Sequence, residues 1–280
     1  MAIKDVLLAL TSFPVPTEDR TIENVVGLAE HLKAKVSAVA FEMDIQSPEG
    51  LRADPLKVAG ILAADSAKSA ANARDLLSTF ETIAVGRNIQ HDHSLLWSKP
   101  PDIPGRLADE ARFRDLSILP LKEADGTQQT IAEHLILESG RPVLVLPDDS
   151  KRELPRSLDN VAIAWDFSRP ATQAVADALP FLQRGKCVRI FTVVDRAIKS
   201  PHAGATISTH LARHGVEAAL EDVKASGRSI GDVLKAYVSE HKIDLLIMGG
   251  YGHSRIREFI LGGATKSILA YPPTWVLMSH

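Results

Sequence analysis

Short apolar segments alternate with longer segments of helical character along this chain, and the whole series occurs twice. Residues 5–11 begin the first series and residues 160–166 begin the second with a similar apolar run. Runs of this length are typical of strands buried on both faces of a parallel sheet, with helices as the connections. The sequence therefore predicts an α/β fold of two tandem Rossmann-like domains, each an open five-stranded parallel sheet with helices on both faces.

The predicted elements follow the same order in both halves. Strands are expected at residues 5–11, 36–41, 89–94, 115–119, 142–146, 160–166, 188–194, 216–221, 244–248 and 275–278. Helices are expected at 21–33, 55–84, 103–111, 170–183, 203–214 and 230–241, and a further helix precedes the fifth strand of each half. The polar link 147–155 has a proline at each end, which sets the domains at 1–150 and 151–280. The apolar fifth strands predict pairing of the two domains within the chain, and a homodimer remains open.

The two halves differ in charge. Residues 1–150 contain 15 Lys and Arg against 23 Asp and Glu, a net charge of −8, whereas residues 151–280 contain 17 against 12, a net charge of +5. Such asymmetry predicts different partners for the two halves. The basic residues are dispersed and aromatic residues make up 5% of the chain, so nucleic acid is not an expected partner.

Several classes of protein are excluded by simple features. No apolar run approaches the roughly 18 residues of a membrane-spanning helix, so no membrane partner is expected. Asp5 stands where a secretory signal would be apolar, and the single cysteine, Cys187, excludes an intrachain disulfide framework. We therefore expect a cytoplasmic protein. Cys187 is interpreted as a small buried core residue, with a redox thiol as the alternative.

A glycine-rich segment, residues 248–267, follows the fourth strand of the second half. Gly262 and Gly263 precede a helical run, so unpaired N–H groups and the helix dipole at its start favour a phosphate. The Walker pattern is absent, and Arg255 occupies the third glycine position of a dinucleotide-binding pattern. The segment therefore predicts an anion site outside these two common motifs.

The spacing of Gly249, Gly252 and Gly262 is two and then nine residues, which resembles the nucleotide-binding motif of the universal stress protein family. Asp166 matches the acidic residue that this family uses beside adenine. The resemblance implies a cytoplasmic stress-response module that binds an adenine nucleotide, ATP or similar, with Mg²⁺ accompanying it, and that has at most weak ATP hydrolysis. It also leaves protein partners unidentified.

The resemblance assigns roles to individual positions. Asp166 would accept a hydrogen bond from the adenine edge, with Ala164 and Val193 beside it near the ribose, while Met248 and Gly249 would contact adenine and ribose. The phosphates would lie against Gly252, Gly262, Gly263, Ala264 and Thr265, and His253 is either a further phosphate contact or an exposed loop residue. Nucleotide-binding members carry a serine or threonine at the position of Gly263, and loss of that hydrogen bond costs about 1 to 3 kcal/mol.

The first half lacks this motif. Residues 120–127 contain one glycine and two acids, Glu123 and Asp125, and carboxylates at that place would repel a phosphate. Thr11 or Ser12 stands where Asp166 stands in the second half. The charge asymmetry is therefore interpreted as one degenerate copy beside one copy that has kept an anion site.

Other functions stay open on the sequence alone. One is a scaffold that binds protein partners or a hydrophobic metabolite without a nucleotide, and another is an enzyme acting on an adenylated or phosphorylated substrate. No general base, nucleophile or acidic metal cluster is identifiable, so we do not expect an enzyme and predict no catalytic residue. His91 and His93 have the spacing of metal ligands, but without a third ligand the expectation is an exposed pair on an edge strand and no metal site.

Overall fold

The computed structural model describes residues 2–46, 55–155, 157–194, 203–251 and 263–280. The first half contains β1 (Asp5–Leu10), α1 (Asp19–Leu32), β2 (Lys35–Met43), α2 (Pro55–Gly86), β3 (His91–Ser98), α3 (Ile103–Ala111), β4 (Leu116–Leu121), α4 (Gly126–Glu138) and β5 (Val143–Pro147). The second half contains β6 (Asn160–Ala164), α5 (Arg169–Leu182), β7 (Cys187–Val194), α6 (Ala203–Arg213), β8 (Ala218–Lys224), α7 (Ile230–Glu240), β9 (Leu245–Gly249), α8 (Gly263–Ala270) and β10 (Trp275–Ser279).

The described strands form one ten-stranded sheet in the order β3-β2-β1-β4-β5-β10-β9-β6-β7-β8. Within each half the neighbouring strands are parallel, and the halves meet where β5 and β10 pair in the antiparallel direction. The predicted α/β class and the tandem arrangement of Rossmann-like sheets are confirmed. The expected pairing of the fifth strands within the chain is present as a continuous hydrogen-bonded ladder.

The junction between the halves is symmetric. Leu144 lies opposite Leu277, and the pairs on either side are Val145 with Val276 and Val143 with Met278. All of these side chains are fully buried. Since each half contributes the same register positions to the contact, the junction has the self-complementary form of a twofold dimer interface, here within one chain.

Helices cover both faces of the sheet. One core layer contains side chains of α1, α2, α5 and α6, with Ile22, Phe80, Val175 and Leu211 among them. The other contains side chains of α3, α4, α7 and α8, with Leu107, Leu135, Leu234 and Ile268 among them. Strand residues alternate between the two layers, which explains why the inner strands read as unbroken apolar runs. Across the described helices, none combines the length and apolar character needed to span a membrane.

Matching hydrogen bonds define which residues of the two halves correspond. The Asp115 carboxylate accepts from the backbone N–H groups of Lys4 and Asp5 at 2.7 and 3.0 Å. The Asp244 carboxylate accepts from the N–H groups at positions 159 and 160 at 3.1 and 2.8 Å. Each carboxylate thus joins the start of the fourth strand of its half to the start of the first. Counting forward from these anchors, Thr11 occupies the position of Asp166.

The outer strands differ from their predicted bounds. β3 continues to Ser98 because it pairs along the length of β2, from Val36 with His91 to Met43 with Ser98. Both edge strands are largely exposed, so they lack the apolar pattern from which a strand is recognised. His91 and His93 lie on this edge, and the part of the chain that the structure describes contains no group of three His, Cys, Asp or Glu residues that could hold a metal ion.

The interpretation of Cys187 as a buried core residue is wrong. Its side chain is exposed at the first position of β7. The apolar layer begins one residue later, at Val188, because the strand enters the sheet from a turn on the solvent side. Further along the same strand, Arg189 donates to Glu221 of β8 at 2.6 Å, and the phenol of Tyr237 donates to the other oxygen of that carboxylate at 2.9 Å.

Candidate functional site

The candidate site lies at the carboxyl ends of β6 and β9. β6 is flanked by β7 on one side and by β9 on the other. The chain runs from β6 to β7 and β8, then crosses back through α7 to reach β9, so the strand order reverses between β6 and β9. In open α/β sheets, ligands bind in the crevice beyond such a reversal. Register places Ala164 beside both Met248 and Phe191 at this edge.

Asp166 stands directly beyond β6 in a hydrogen-bonded turn. Its Oδ1 accepts from the backbone N–H of Ser168 at 3.0 Å. The Ser168 hydroxyl oxygen in turn accepts from the N–H of Ala171 at 3.1 Å and caps α5. These bonds hold an exposed carboxylate at the rim of the crevice, where a ligand group that donates hydrogen bonds can reach it.

The floor of the crevice is apolar. Ala164 at the end of β6 and Val193 near the end of β7 are half-buried and pack against the core layer of α7 and α8. Met248 is buried at the end of β9 and belongs to the same layer. A flat, uncharged ring could lie against these side chains, whereas a charged group would lose hydration there.

Packing around the end of β9 leaves no room for a side chain at Gly249 or Gly250. A Cβ on Gly249 would lie 2.5 Å from the backbone nitrogen of Ala171, so the absence of a side chain lets α5 begin close to β9. A Cβ on Gly250 would lie 2.6 Å from Cγ2 of Ile136, which belongs to α4 of the first half. The end of β9 is therefore wedged between the start of α5 and the last helix of the other half.

The start of α8 supplies backbone donors. Gly263 is the first residue of the helix and is exposed, and a Cβ there would meet no atom of the described residues within 4 Å. Ala264 is half-buried behind it. Thr265 is buried, and its hydroxyl oxygen accepts from the N–H of Tyr251 at 3.2 Å, which ties the loop after β9 to this helix.

The structure thus brings Ala164, Asp166, Val193, Met248 and Gly249 to one edge of the sheet. Thr265 reaches the same edge through its bond to the loop after β9. Three further predicted positions, Gly252, His253 and Gly262, lie outside the described residues.

Two aromatic residues at this edge were not predicted from the sequence. Phe167, directly after Asp166, and Tyr251, two residues after β9, both have left-handed backbones, with φ of 64° and 53°. Side chains with a Cβ seldom adopt this conformation, and such residues cluster at functional sites. Burial, assisted by the Glu133 carboxylate, raises the pKa of the Tyr251 phenol, so this hydroxyl stays protonated. The sequence offers one sign of Phe167 and Tyr251 as site residues, which is that each is an aromatic residue in a turn after a strand.

The corresponding place in the first half is filled by the protein's own groups. The Asp125 carboxylate accepts from the N–H groups of Thr127 and Gln128 at 2.9 and 3.1 Å and so occupies the start of α4. The fully buried Gln128 amide accepts from the N–H of Lys122 at 2.6 Å and donates to the Thr11 hydroxyl at 3.0 Å. The remaining cavity, lined by Thr11, Asp125, Thr127 and Gln128 as well as by apolar side chains, is about 20 Å³, enough for roughly one water molecule.

Comparison with known proteins gives a match to one family model and matches to solved structures. Residues 157–280 match the family model described as "Universal stress protein family". A universal stress protein from Archaeoglobus fulgidus DSM 4304 superposes with a TM-score of 0.68 at 15% identity, over 97% of this chain and 94% of that one. A protein from Pseudomonas aeruginosa UCBPP-PA14 gives 0.57 at 13% identity, over 99% and 92%. No curated protein sequence matches. At these identities, the structural matches establish the fold over the whole length of the chain.

Proposed function

We propose that the second half of the chain binds an adenine nucleotide, because residues 157–280 match the family model of the universal stress proteins. The binding site is the crevice between β6 and β9, and the protein acts as a regulatory module in a stress response. The observation that carries the proposal is the pairing of an exposed carboxylate, Asp166, with an apolar floor at the reversal of strand order. Such a site suits a base that is flat and carries hydrogen-bond donors.

The contrast between the halves supports the proposal. In the first half, Asp125 already occupies the N–H groups at the start of α4, and Gln128 fills the space beside Thr11. At the start of α8, no atom of the described residues lies within 4 Å of a Cβ built on Gly263. A phosphate beside α8 would meet the backbone N–H groups at its start and the positive end of the helix dipole. The net charge of +5 over residues 151–280 favours the same assignment.

The proposal is for binding rather than catalysis. Across the described residues no cluster of three His, Cys, Asp or Glu side chains is available to hold a metal ion. Mg²⁺ would therefore enter with the nucleotide, held by its phosphates, and would neutralise part of their charge. Asp166 is held by Ser168 at the adenine end, which does not make it a base for an attacking water. We propose that hydrolysis is at most slow.

Titration calorimetry and thermal shift with ATP, ADP and AMP, each with and without Mg²⁺, test the proposal. A ligand at a hundred times its Kd stabilises a folded protein by about 2.7 kcal/mol, which is a measurable shift. Asp166→Ala should weaken binding of all three nucleotides. Asp222→Ala, which removes an exposed carboxylate from the far edge strand β8, is the matched control and should bind normally. Absence of binding by the unmodified protein would contradict the proposal.

One observation favours a second candidate, a scaffold for a protein partner. The edge strand β3 exposes Trp97 by 58% and Leu95 by 39%, and α2 exposes Ile61 by 62%. An open edge strand with apolar side chains is a surface on which another chain can add a strand. If Trp97→Ser abolishes function in cells and Asp166→Ala does not, the scaffold is the correct function; the opposite result supports the nucleotide.

A further inference from the structure

We propose that His210 and His214, at the end of α6, form a binding site for a divalent transition-metal ion of the kind that imidazole prefers, such as Cu²⁺ or Zn²⁺. α6 leads from the carboxyl end of β7 to the amino end of β8, so its last turn lies at the end of the sheet opposite to the crevice of the second half. An ion bound there is separate from any Mg²⁺ that accompanies a nucleotide, and the inference does not depend on the proposed function.

The spacing of the two histidines is the first observation. His210 lies in the last turn of α6, and His214 directly follows the last residue of that helix, four positions later. Side chains four residues apart on a helix lie on the same face, which is the arrangement in which two imidazoles of one helix bind zinc. Both side chains are exposed, so an ion in solution can reach them.

The distance between the two rings fits a shared ion. A nitrogen of imidazole binds zinc at about 2.0 to 2.1 Å, which puts the ring centroid about 3.2 Å from the metal. Two rings bound to one ion at an angle of about 90 to 110° therefore have centroids about 4.5 to 5.2 Å apart. The centroids of His210 and His214 are 4.8 Å apart, with the ring planes at 63°. Both rings can therefore bind one ion by rotating about their own side-chain bonds.

The ring nitrogens of this pair are available to a metal. Three other histidines, His91, His134 and His280, each place Nδ1 at 2.9 to 3.0 Å from a backbone carbonyl oxygen. Within the described part of the chain, no hydrogen bond involves the rings of His210 or His214, which lie edge to face with each other. A metal ion would therefore displace no protein hydrogen bond from them.

The backbone that carries the pair is fixed. The N–H of His214 donates to the carbonyl of Leu211 at 2.9 Å, and its own carbonyl accepts from Nε2 of Gln183 in the neighbouring α5 region at 3.1 Å. Leu211 is fully buried, which anchors the last turn of α6 on the core. Because the backbone is ordered before any ion arrives, binding has to immobilise little more than the two side chains.

The class of ion follows from the donors. Imidazole nitrogen suits copper, nickel and zinc, whereas Mg²⁺ and Ca²⁺ take oxygen ligands. Affinity for nitrogen donors is higher for Cu²⁺ than for Zn²⁺. Water would complete the coordination. Two donors held side by side bind about 10²- to 10⁴-fold more tightly than either one alone.

Calorimetry on the full chain with the chlorides of Cu²⁺, Zn²⁺ and Mg²⁺ tests the inference. The unmodified protein should bind Cu²⁺ more tightly than Zn²⁺, and its tightest Cu²⁺ site should hold one ion per chain. His210→Gln and His214→Gln should each weaken Cu²⁺ binding by about 100-fold or more, because each leaves a single imidazole. Neither substitution should change the response to Mg²⁺.

Two controls separate this site from general effects. His134→Gln removes an exposed histidine of α4 and should leave Cu²⁺ binding unchanged. The double variant His210→Gln/Arg213→His keeps the number of histidines but puts the two on adjacent residues, which do not face each other on a helix. It should bind Cu²⁺ as weakly as His210→Gln. Since the replaced side chains are exposed, all variants should melt at the temperature of the unmodified protein when no metal is present.

The other outcomes are equally definite. Failure of the unmodified protein to bind Cu²⁺ would overturn the inference, as would Cu²⁺ affinity that stays within a few-fold after either single substitution. Recovery of tight binding in the double variant would also overturn it, because the four-residue spacing would then be irrelevant. Loss of ATP binding has no part in this test, so intact Cu²⁺ binding without ATP binding would contradict the proposed function alone.

Discussion

Gly250→Ala should destabilise the protein through a contact between its two halves. The added Cβ would lie 2.6 Å from Cγ2 of Ile136 in α4, about 1 Å closer than carbon atoms normally approach. Ile136 is 2% exposed and β-branched, so its methyl group has little freedom to rotate away. The backbone at Gly250 is also fixed, since its N–H donates to the Ser279 carbonyl at 2.8 Å and its carbonyl contacts the His280 ring nitrogen at 3.0 Å.

The magnitude follows from two opposing effects. Overpacking in a close-packed core costs about 1 to 3 kcal/mol. The backbone of Gly250 lies outside the left-handed region, so alanine gains about 0.4 to 1 kcal/mol from the reduced entropy of the unfolded chain. We expect the free energy of unfolding to fall by about 1 to 2 kcal/mol. Each kcal/mol corresponds to a fall of about 2 to 4 °C in melting temperature.

Urea denaturation of a double-mutant cycle is the decisive assay. Ile136→Ala alone should cost about 2 to 5 kcal/mol because it leaves a cavity. In the double variant, the new methyl group of residue 250 enters that space, so the combined cost should be smaller than the sum by about 0.5 to 3 kcal/mol. Gly105→Ala in α3, where a Cβ meets nothing within 4 Å, is the control and should stabilise by about 0.5 to 1 kcal/mol. A neutral Gly250→Ala, or strictly additive costs, would refute the contact.

Three further predictions concern an ion pair, an acid-sensitive carboxylate and the phosphate end of the site. Asp148→Asn should cost about 2 to 3 kcal/mol in chemical denaturation, because the fully buried carboxylate lies 2.9 Å from the ammonium of Lys122, which is itself 17% exposed and can partly rehydrate. Burial raises the pKa of Glu221, but hydrogen bonds from the Tyr237 phenol and the Arg189 guanidinium outweigh it and hold this pKa below its usual 4.5. The Glu221 carboxylate therefore stabilises the fold above about pH 4.5, and this stabilisation is lost as the pH falls through the lower pKa of the folded state. Glu221→Gln should melt at a lower temperature than the unmodified protein at pH 7, and the difference should shrink in acid. Gly263→Ser should raise ATP affinity by about 10- to 100-fold in calorimetry without changing adenosine affinity. The described residues leave room for the side chain, and its hydroxyl can donate to a charged oxygen. Equal gains for both ligands would contradict this placement of the phosphates.

The inner strands could be predicted from the sequence because their chemistry is local. β5 and β10 consist almost wholly of apolar residues, and strands buried on both faces need no further signal. β3 and β8 were misplaced by a few residues because edge strands are exposed, and partner strands define their ends. Cys187 was misjudged for a related reason, since a one-residue difference in where a strand enters the core changes a side chain from buried to exposed.

The candidate site could be predicted only in part. Gly249 and Asp166 are recognisable by spacing and by position after a strand. The closure of the first-half site by Gln128 depends on Thr11, 117 positions away, and a contact at that separation leaves no mark in the sequence. The left-handed backbone of Phe167 is likewise a property of the folded turn, which the residue type argues against.

The antiparallel junction of β5 and β10 gives the molecule two unlike ends. Had the halves joined in parallel, both sets of carboxyl ends would face the same way, and one ligand or partner could touch both. The reversal instead directs the edge of the second half that carries Asp166 and the self-filled edge of the first half toward opposite poles of one sheet. α4, about 20 Å long, runs between these poles, with Asp125 at its start and Ile136 against the loop of the open site. Two similar halves joined in this way have one end filled by the protein's own side chains, and the helix α4 links it to the other end.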